Sequence, residues 1–285
     1  MDAIIEVLVY GFLISSLYAL AAVGFTMIFG VAGVLNLAHG AFVLIGGYVA
    51  VWASTALGWH IVLAALVAVV AMALLAPLIY LLCVRPFSDK PVIVFLATLL
   101  LAVIVEQVMI LMFGEKSRTL SALVPGYFYL FGVQILWDRV VASLAALASI
   151  VGLWLYITRT RNGKAISALS MERLGAALAG INEFQMQLLV WVVSGALAAI
   201  AGVFLTTFLG ISPFAGRIPL VIAFSIVVLG GLGSIPGSLW AAYIIGYAET
   251  ITTQWIPEAR GFSSLLILLL ILTFRPQGLF GREAS

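Results

Sequence analysis

Residues 91–113, PVIVFLATLLLAVIVEQVMILMF, form an uninterrupted apolar stretch whose only charged residue is Glu106. A helix needs about 20 such residues to cross the hydrocarbon core of a bilayer, and this stretch is long enough. Comparable apolar runs lie at 4–29, 40–57, 61–84, 135–157, 184–208, 217–232, 237–256 and 261–274. The pattern predicts an all-α, polytopic bundle of about eight or nine spans, folded as a single transmembrane domain over 1–285.

The composition supports a lipid environment. Hydrophobic residues make up 65% of the 285 residues, charged residues make up 8%, and the mean hydropathy is +1.27. Soluble domains carry about 25% charged residues to solvate their surface. Helices are the expected elements because backbone polar groups in hydrocarbon must be satisfied internally.

The basic residues predict the orientation of the bundle. They concentrate in three segments, namely Arg85 with Lys90, then Arg159, Arg161, Lys164 and Arg173, and finally Arg275 and Arg282. Nine spans crossing in order place all three on one side, which the positive-inside rule makes cytoplasmic. We therefore expect a bacterial inner-membrane protein with its N-terminus outside and its C-terminus in the cytoplasm. Trp52, Trp59, Trp137 and Trp255 then lie near the outer interface, and we expect Arg217 there too, with no special role.

Several functions are disfavoured because their motifs are absent. The only Gly-Lys pair, Gly163-Lys164, lacks the earlier glycine of a phosphate-binding loop, because position 158 is a threonine. Two histidines, His39 and His60, and the single Cys83 are too few for a metal site within one chain. The sequence therefore predicts neither an enzyme nor a bound cofactor or metal, and it contains no nucleic-acid-binding patch.

Residues 159–182 form the longest basic segment, and their apolar residues recur at helical spacing. Gly180 is expected to end a short helix, and Asn182, with Gln185 three residues later, is expected to cap the next one. Two interpretations remain open for this segment. It is either a helix outside the bilayer that docks a cytoplasmic partner or a topology anchor that touches lipid headgroups.

Two glycine-rich segments are candidates for lining a translocation path. In the first, 34–48, Asn36 and His39 precede Gly40, Gly46 and Gly47; in the second, 225–237, Gly230, Gly231, Gly233 and Gly237 accompany two serines and a proline. Polar groups and non-helical backbone at membrane depth normally face a cavity or another helix. The alternatives are helix caps at the cytoplasmic interface for the first segment and a plain loop for the second. Gly233 and Gly237 are also spaced as a helix-packing pair.

Three polar residues fall within apolar runs and are further candidates for the path. Glu106 and Gln107 lie in 91–113, and Glu249 lies in 237–256. An ionisable residue inside a span is a functional hypothesis by default. Glu106 is equally compatible with a structural hydrogen-bonding role between helices. No lysine or arginine is expected near the membrane midplane, which disfavours a strong carboxylate site.

Three stretches together resemble the permease subunits of branched-chain amino-acid ABC importers. They are NLAHGAFVLIGGYVA at 36–50, GKAISALSMERLGAALAGIN at 163–182, and VLGGLGSIPGSLWAAYIIGYAET at 228–250 followed by RPQGLFGR at 275–282. The resemblance implies a second related permease, two cytoplasmic P-loop ATPase subunits that hold ATP and Mg²⁺, and a periplasmic solute-binding protein. It assigns ATPase coupling to the middle stretch, with Lys164, Ser167, Glu172, Arg173, Ala177 and Gly180 as its candidate residues. The family commonly has an arginine where this chain has Ser167.

The resemblance leaves the solute open, because the same family includes importers of urea, amides and aromatic acids. Other functional classes remain as alternatives. A stand-alone channel or ion-coupled transporter would use Glu106 and Glu249 as its acidic candidates. An intramembrane enzyme is disfavoured by the scarcity of catalytic groups.

Overall fold

The computed structural model describes residues 2–275 and 277–280, which form an almost entirely helical bundle. The helices are α1 Asp2–Ala32, α2 His39–Ala56, α3 Ile61–Ile79, α4 Pro91–Phe113, α5 Trp137–Arg159, α6 Arg161–Met171, α7 Arg173–Leu178, α8 Glu183–Leu209, α9 Arg217–Gly230, α10 Ile235–Trp255 and α11 Phe262–Phe274. A π-helical turn, Tyr80–Val84, prolongs α3 just after its internal Pro77. The predicted all-α class is confirmed.

Each of the nine predicted apolar runs contains one helix. Six of these helices, α1 to α5 and α8, are long and apolar enough to cross a membrane. The helices α9 and α11 have 14 and 13 residues. At 1.5 Å per residue they are about 20 Å long, shorter than the roughly 30 Å hydrocarbon core. The described part of the chain therefore contains six candidate spans and two shorter apolar helices, while the 21-residue α10 is in neither group.

α1 is the central helix, and α4 is peripheral. The most apolar window of α1 is 89% buried, whereas that of α4 is 28% buried. The buried residues of α4 are Val94, Thr98, Glu106 and Met109. Their spacing defines one narrow face of the helix. The rest of α4 presents large apolar side chains outward, as a lipid-facing helix requires.

The two ends of the bundle can be identified by the contacts that its loops and termini make there. At one end, here called the basic end, Arg85 lies 4.2 Å from the centre of the Phe184 ring and the Leu279 amide donates to the Leu229 carbonyl at 2.7 Å. At the other, here called the N-terminal end, the Gln254 amide donates to Glu6 at 3.2 Å. The fold thus brings to the basic end the described parts of the segments that the charge pattern placed on one side, whereas Arg282 lies outside the described residues.

A β-hairpin at the N-terminal end was not predicted. Its strands, β1 Tyr127–Leu130 and β2 Val133–Leu136, pair antiparallel immediately before α5. The Tyr10 hydroxyl of α1 donates to the Gln134 carbonyl at 2.6 Å, which fixes the hairpin to the bundle. The hairpin is too short to change the fold class.

Candidate functional site

The first predicted break lies between α1 and α2 and runs back into the bundle. α1 ends at Ala32, and Gly33 has a φ of +67°. His39 Nε2 donates to the Ala21 carbonyl at 2.8 Å. Ala21 precedes the end of α1 by about 16 Å along the helix axis, at 1.5 Å per residue. Segment 33–38 therefore returns alongside the last three turns of α1, and α2 begins inside the bundle.

A second contact agrees with this depth. The Leu37 amide donates to Thr98 Oγ1 at 3.2 Å. Thr98 lies about 10 Å along α4 from its first residue, Pro91. Asn36 does not cap α2, whose N-cap residue Ala38 is without a side-chain cap. The Asn36 Oδ1 instead accepts from the Ala38 amide at 3.1 Å in a local turn just before the helix.

The second predicted break spans residues 231–234, between α9 and α10. Gly231 and Gly233 have φ values of +92° and +85°, which favour glycine, and Ser234 Oγ accepts from the Gly237 amide at 3.1 Å as the N-cap of α10. The second break packs against the last turn of α1, because a Cβ on Gly30 would lie 3.3 Å from the Gly233 Cα. One packing prediction needs correction. Gly233 and Gly237 do not share a partner, since Gly237 packs on Gly230 instead.

The other predicted glycines allow close helix packing. A Cβ on Gly46 would lie 2.5 Å from the Ala199 Cα, and one on Gly47 would lie 3.1 Å from the Gly202 carbonyl oxygen. Gly40 is in backbone contact with Gly216, which precedes α9. Side chains at these positions would push the helices apart. The beginnings of α2 and α9 therefore meet inside the bundle.

Four buried polar side chains lie along the end of α1, segment 33–38 and α8. Within the described part of the chain, Asn36 Nδ2, His39 Nδ1, Gln187 Oε1 and Trp191 Nε1 are buried without a hydrogen-bond partner. Buried polar atoms are normally paired, so such a group commonly indicates a functional or hydrated region. Sequence reasoning found Asn36 and His39 but missed the two α8 residues, which lie in an apolar run without a glycine beside them.

Glu106 has a partner that the sequence did not predict. Both of its oxygens accept from Arg217, at 2.8 Å from Nε and 2.6 Å from Nη2. The Glu106 side chain is 9% exposed, and that of Arg217 is 62% exposed. The expectation that Arg217 has no special role is therefore wrong, since this residue ties α9 to the buried face of α4. The neighbouring Gln107 is exposed.

Glu249 is buried, and its carboxylate caps the start of α11. One oxygen accepts from Ser263 Oγ at 2.7 Å and from the Ser264 amide at 2.8 Å, while the other accepts from the Gly261 amide at 2.8 Å. The first amides of a helix have no partners within the helix, so an acceptor there is stabilising. Both acidic residues considered for ion coupling thus have fixed partners.

The middle segment forms two short helices at the basic end, α6 and α7, where the sequence predicted one. Glu172, with a φ of −158° and a ψ of 111°, interrupts the helix between them. Glu172 caps α7 by accepting from the amides of Leu174 and Gly175, Gly180 follows that helix with a φ of +80°, and Asn182 Oδ1 accepts from the Gln185 amide at 3.1 Å. The predicted helix end and cap are both confirmed. Of the remaining coupling candidates, Lys164 and Ala177 are exposed, whereas Ser167 is half-buried.

The surface of this helix pair is more apolar than its charge suggested. Met171, Leu174 and Leu178 are 62%, 70% and 82% exposed. Large apolar side chains at the end of a bundle, outside the spans, are typical of an interaction surface. We call these three residues the α7 apolar patch. Sequence reasoning emphasised the charges of the segment and missed this patch.

Arg173 connects α7 to the first break. Its Nη2 donates to the Val31 carbonyl at 2.9 Å, and the Gln187 amide donates to the same carbonyl at 3.2 Å. A weaker contact joins Arg173 Nη1 to Glu183 at 3.7 Å. Arg173 is therefore held against the end of α1, two residues before Gly33.

A cavity of about 270 Å³ lies between α2, α8 and the segment that enters α9. Its apolar lining comes from Val43, Leu44, Leu205, Leu209, Ile211, Phe214 and Ile218, and its polar lining comes from Tyr18, Ser117, Thr206, Ser212 and Arg260. We call it the outer cavity, because its rim segments lie at the N-terminal end. Paired backbone bonds between Arg118 and Ile211, at 2.8 and 2.7 Å, hold two of these segments together.

Sequence reasoning did not find the outer cavity, since its residues come from five separate segments. A second cavity adjoins it and shares Tyr18, Leu209 and Arg260 with it. The second cavity also contains Glu6, Arg139 and Glu249, so its lining is more polar.

Comparison with known proteins gives matches along nearly the whole chain. Residues 7–274 match the family model described as branched-chain amino acid transport system / permease component. The high-affinity branched-chain amino acid transport system permease protein LivH of Escherichia coli K12 is 31% identical, over 95% of this chain and 94% of its own. BraD of Pseudomonas aeruginosa PAO1, a permease protein with the same description, is 30% identical over 98% of this chain and 96% of its own. No solved structure matches the chain.

Proposed function

Because this chain belongs to the family of branched-chain amino acid transport permease components, we propose that it is a permease subunit of an ABC importer for branched-chain and other hydrophobic amino acids. It pairs with a second related permease in a bacterial inner membrane and forms half of the path. A periplasmic binding protein delivers the solute at the N-terminal end. Two cytoplasmic ATPase subunits dock at the basic end and supply the ATP chemistry.

The α7 apolar patch is the observation that carries this proposal. Its three side chains are exposed at the end that carries the basic loops, where positive charge favours the cytoplasm. Burial of apolar area against a partner is worth roughly 25 cal/mol per Å². Docking of an ATPase on α6 and α7 buries the patch, and the neighbouring exposed Lys164 lies within reach of acidic groups on that partner.

The contacts of Arg173 indicate how docking acts on the path. Movement of α7 displaces the Arg173 guanidinium, which is bonded to the Val31 carbonyl at 2.9 Å. Val31 lies in the last turn of α1, next to Gly33 and the segment that carries Asn36 and His39. Arg173 is thus a positioning residue that couples the docking helices to the first break.

Co-purification from the native membrane tests the docking surface. We expect a second permease and ATPase subunits to remain bound to the wild-type chain and the ATPases to be lost from Leu174→Asp/Leu178→Asp. Lys90→Glu, a charge reversal in another loop at the basic end, is the matched control and should retain them. Full ATPase recovery with the double aspartate variant would remove α7 from the interface.

Arg173 requires a separate measurement, because its proposed role is transmission and not docking. Arg173→Ala should still co-purify with the ATPases but should hydrolyse more ATP per solute imported, while Arg173→Lys should recover part of the coupling. If the purified chain, without ATPases, catalysed solute flux by itself, the importer assignment would be wrong and the ion-coupled or channel class would replace it.

A further inference from the structure

The outer cavity contains two polar groups that are available to a solute. Tyr18 is only 4% exposed, and it lines both cavities. Its hydroxyl makes no hydrogen bond to any other residue that the structure describes. Arg260, which also lines both cavities, forms no salt bridge or side-chain hydrogen bond in the ranges 2–275 and 277–280. A buried phenol and a guanidinium without partners therefore face the same space.

Two other arginines at the N-terminal end, unlike Arg260, already have hydrogen-bonding partners. Arg217 is held by Glu106, and the Arg118 guanidinium donates to the Phe113 carbonyl at 2.9 Å. Arg139 lies 4.4 Å from the centre of the Phe208 ring. Two acidic groups line the second cavity with Arg260. Glu249 already accepts three hydrogen bonds at the start of α11, and Glu6 accepts one from the Gln254 amide. Arg260 thus retains its hydrogen-bonding capacity for an external anion.

The geometry points to a solute site in the outer cavity, with an α-amino acid bound by its carboxylate on Arg260 and Tyr18 and by its apolar side chain against α2 and α8. This inference rests on the proposed importer function and adds the site within this chain. A guanidinium binds a carboxylate through two parallel hydrogen bonds, and a phenol donates a third. Leucine and isoleucine side chains, including Leu44, Leu205 and Ile211, form the apolar wall.

The volume of the cavity agrees with a small solute. At about 270 Å³ it lies just below the roughly 300–1,000 Å³ of pockets that hold drug-sized ligands. An uncharged amide or urea would leave the guanidinium without a counter-charge, and such uncompensated polar groups lower affinity. The chemistry of the site therefore favours a carboxylate solute with an apolar side chain over uncharged amides and urea.

The test uses the complete complex, with its partner permease, ATPases and binding protein, reconstituted in vesicles with leucine as the probe. Arg260→Gln and Tyr18→Phe should lower leucine uptake by about tenfold and about threefold, as expected for the loss of a charged and a neutral hydrogen-bond donor. Arg260→Lys should recover part of the loss. Lys116 and Tyr156 line neither cavity, so Lys116→Gln and Tyr156→Phe are the matched controls.

A labelling experiment reports on occupancy independently of transport. The single native Cys83 is replaced by serine, and Ser212→Cys introduces a thiol at the cavity wall for a membrane-impermeant maleimide. Leucine-loaded binding protein should protect this thiol, and Arg260→Gln should abolish the protection. An assembled Arg260→Gln complex with normal uptake, or a thiol that leucine never protects, would overturn the site. Failure of the wild-type chain to retain ATPases would instead overturn the importer function.

Discussion

The Glu249 carboxylate gives the most direct prediction of stability. Its two oxygens receive the Gly261 and Ser264 amides and the Ser263 hydroxyl, all within 2.8 Å. Replacing Glu249 with alanine leaves two buried backbone amides without an acceptor, because the Ser263 hydroxyl can rotate toward another partner. The cost of each unsatisfied buried donor is about 1–3 kcal/mol. We therefore expect Glu249→Ala to lower the free energy of unfolding by about 2–6 kcal/mol.

The glutamine variant should be milder. Glu249→Gln retains one oxygen, which can still accept from Ser263 and Ser264, but its NH₂ group faces the Gly261 amide. One lost acceptor corresponds to about 1–3 kcal/mol. The predicted order of stability is therefore wild type, then glutamine, then alanine.

Equilibrium unfolding of the purified chain in detergent micelles measures both variants. Glu258→Gln is the matched control, because this exposed carboxylate lies in the same loop as Gly261 and makes no side-chain hydrogen bond in the described structure. Its unfolding free energy should stay within about 0.5 kcal/mol of wild type. If Glu249→Ala and Glu258→Gln had the same free energy of unfolding, the Glu249 carboxylate would not be capping α11 and the assigned hydrogen bonds would be wrong.

Two further predictions use the same unfolding measurement. Arg217→Gln should lower the free energy of unfolding by about 1–3 kcal/mol, and by more than Glu106→Gln does, because it leaves the buried member of the ion pair uncompensated; equal effects would indicate that Glu106 is not buried as described. Gly231→Ala should cost about 1–2 kcal/mol because its φ is +92°, whereas Gly152→Ala, in an open helical position of α5, should stabilise by about 0.5–1 kcal/mol. Stabilisation by both alanines would mean that Gly231 is not held in a left-handed conformation.

The sequence was sufficient to predict the spans and the two breaks, because both depend on local chemistry. A run as apolar as 91–113 favours a lipid environment, and the glycines at 230–237 are incompatible with an ordinary helix interior. The predicted cap at Asn182 follows an equally local rule. The hairpin before α5 was missed because its strands are stabilised by a contact with Tyr10, far away in the chain.

The candidate sites were less predictable, because their chemistry depends on which helices meet. Nothing near position 106 in the sequence identifies Arg217 as its partner, since the two are 111 residues apart. In the sequence, Arg260 follows the oppositely charged Glu258 by two residues. Only the fold shows that it lines the same cavity as Tyr18. Whether the predicted path residues Asn36, His39, Gly40, Gly46, Gly47, Glu106, Gln107, Gly230, Gly231, Gly233 and Glu249 contact the solute stays a prediction.

The return of segment 33–38 into the bundle has a consequence for biosynthesis. The ribosome delivers the chain N-terminus first, so α1 and α2 enter the membrane well before α8 and α9 exist. Yet Gly40 packs on Gly216, and Gly46 packs on Ala199, more than 150 residues later in the chain. The helices α1 and α2 therefore insert without the surfaces of α8 and α9 that hold α2 at its final depth. Assembly of this permease must include a late step in which α2 settles against newly made helices.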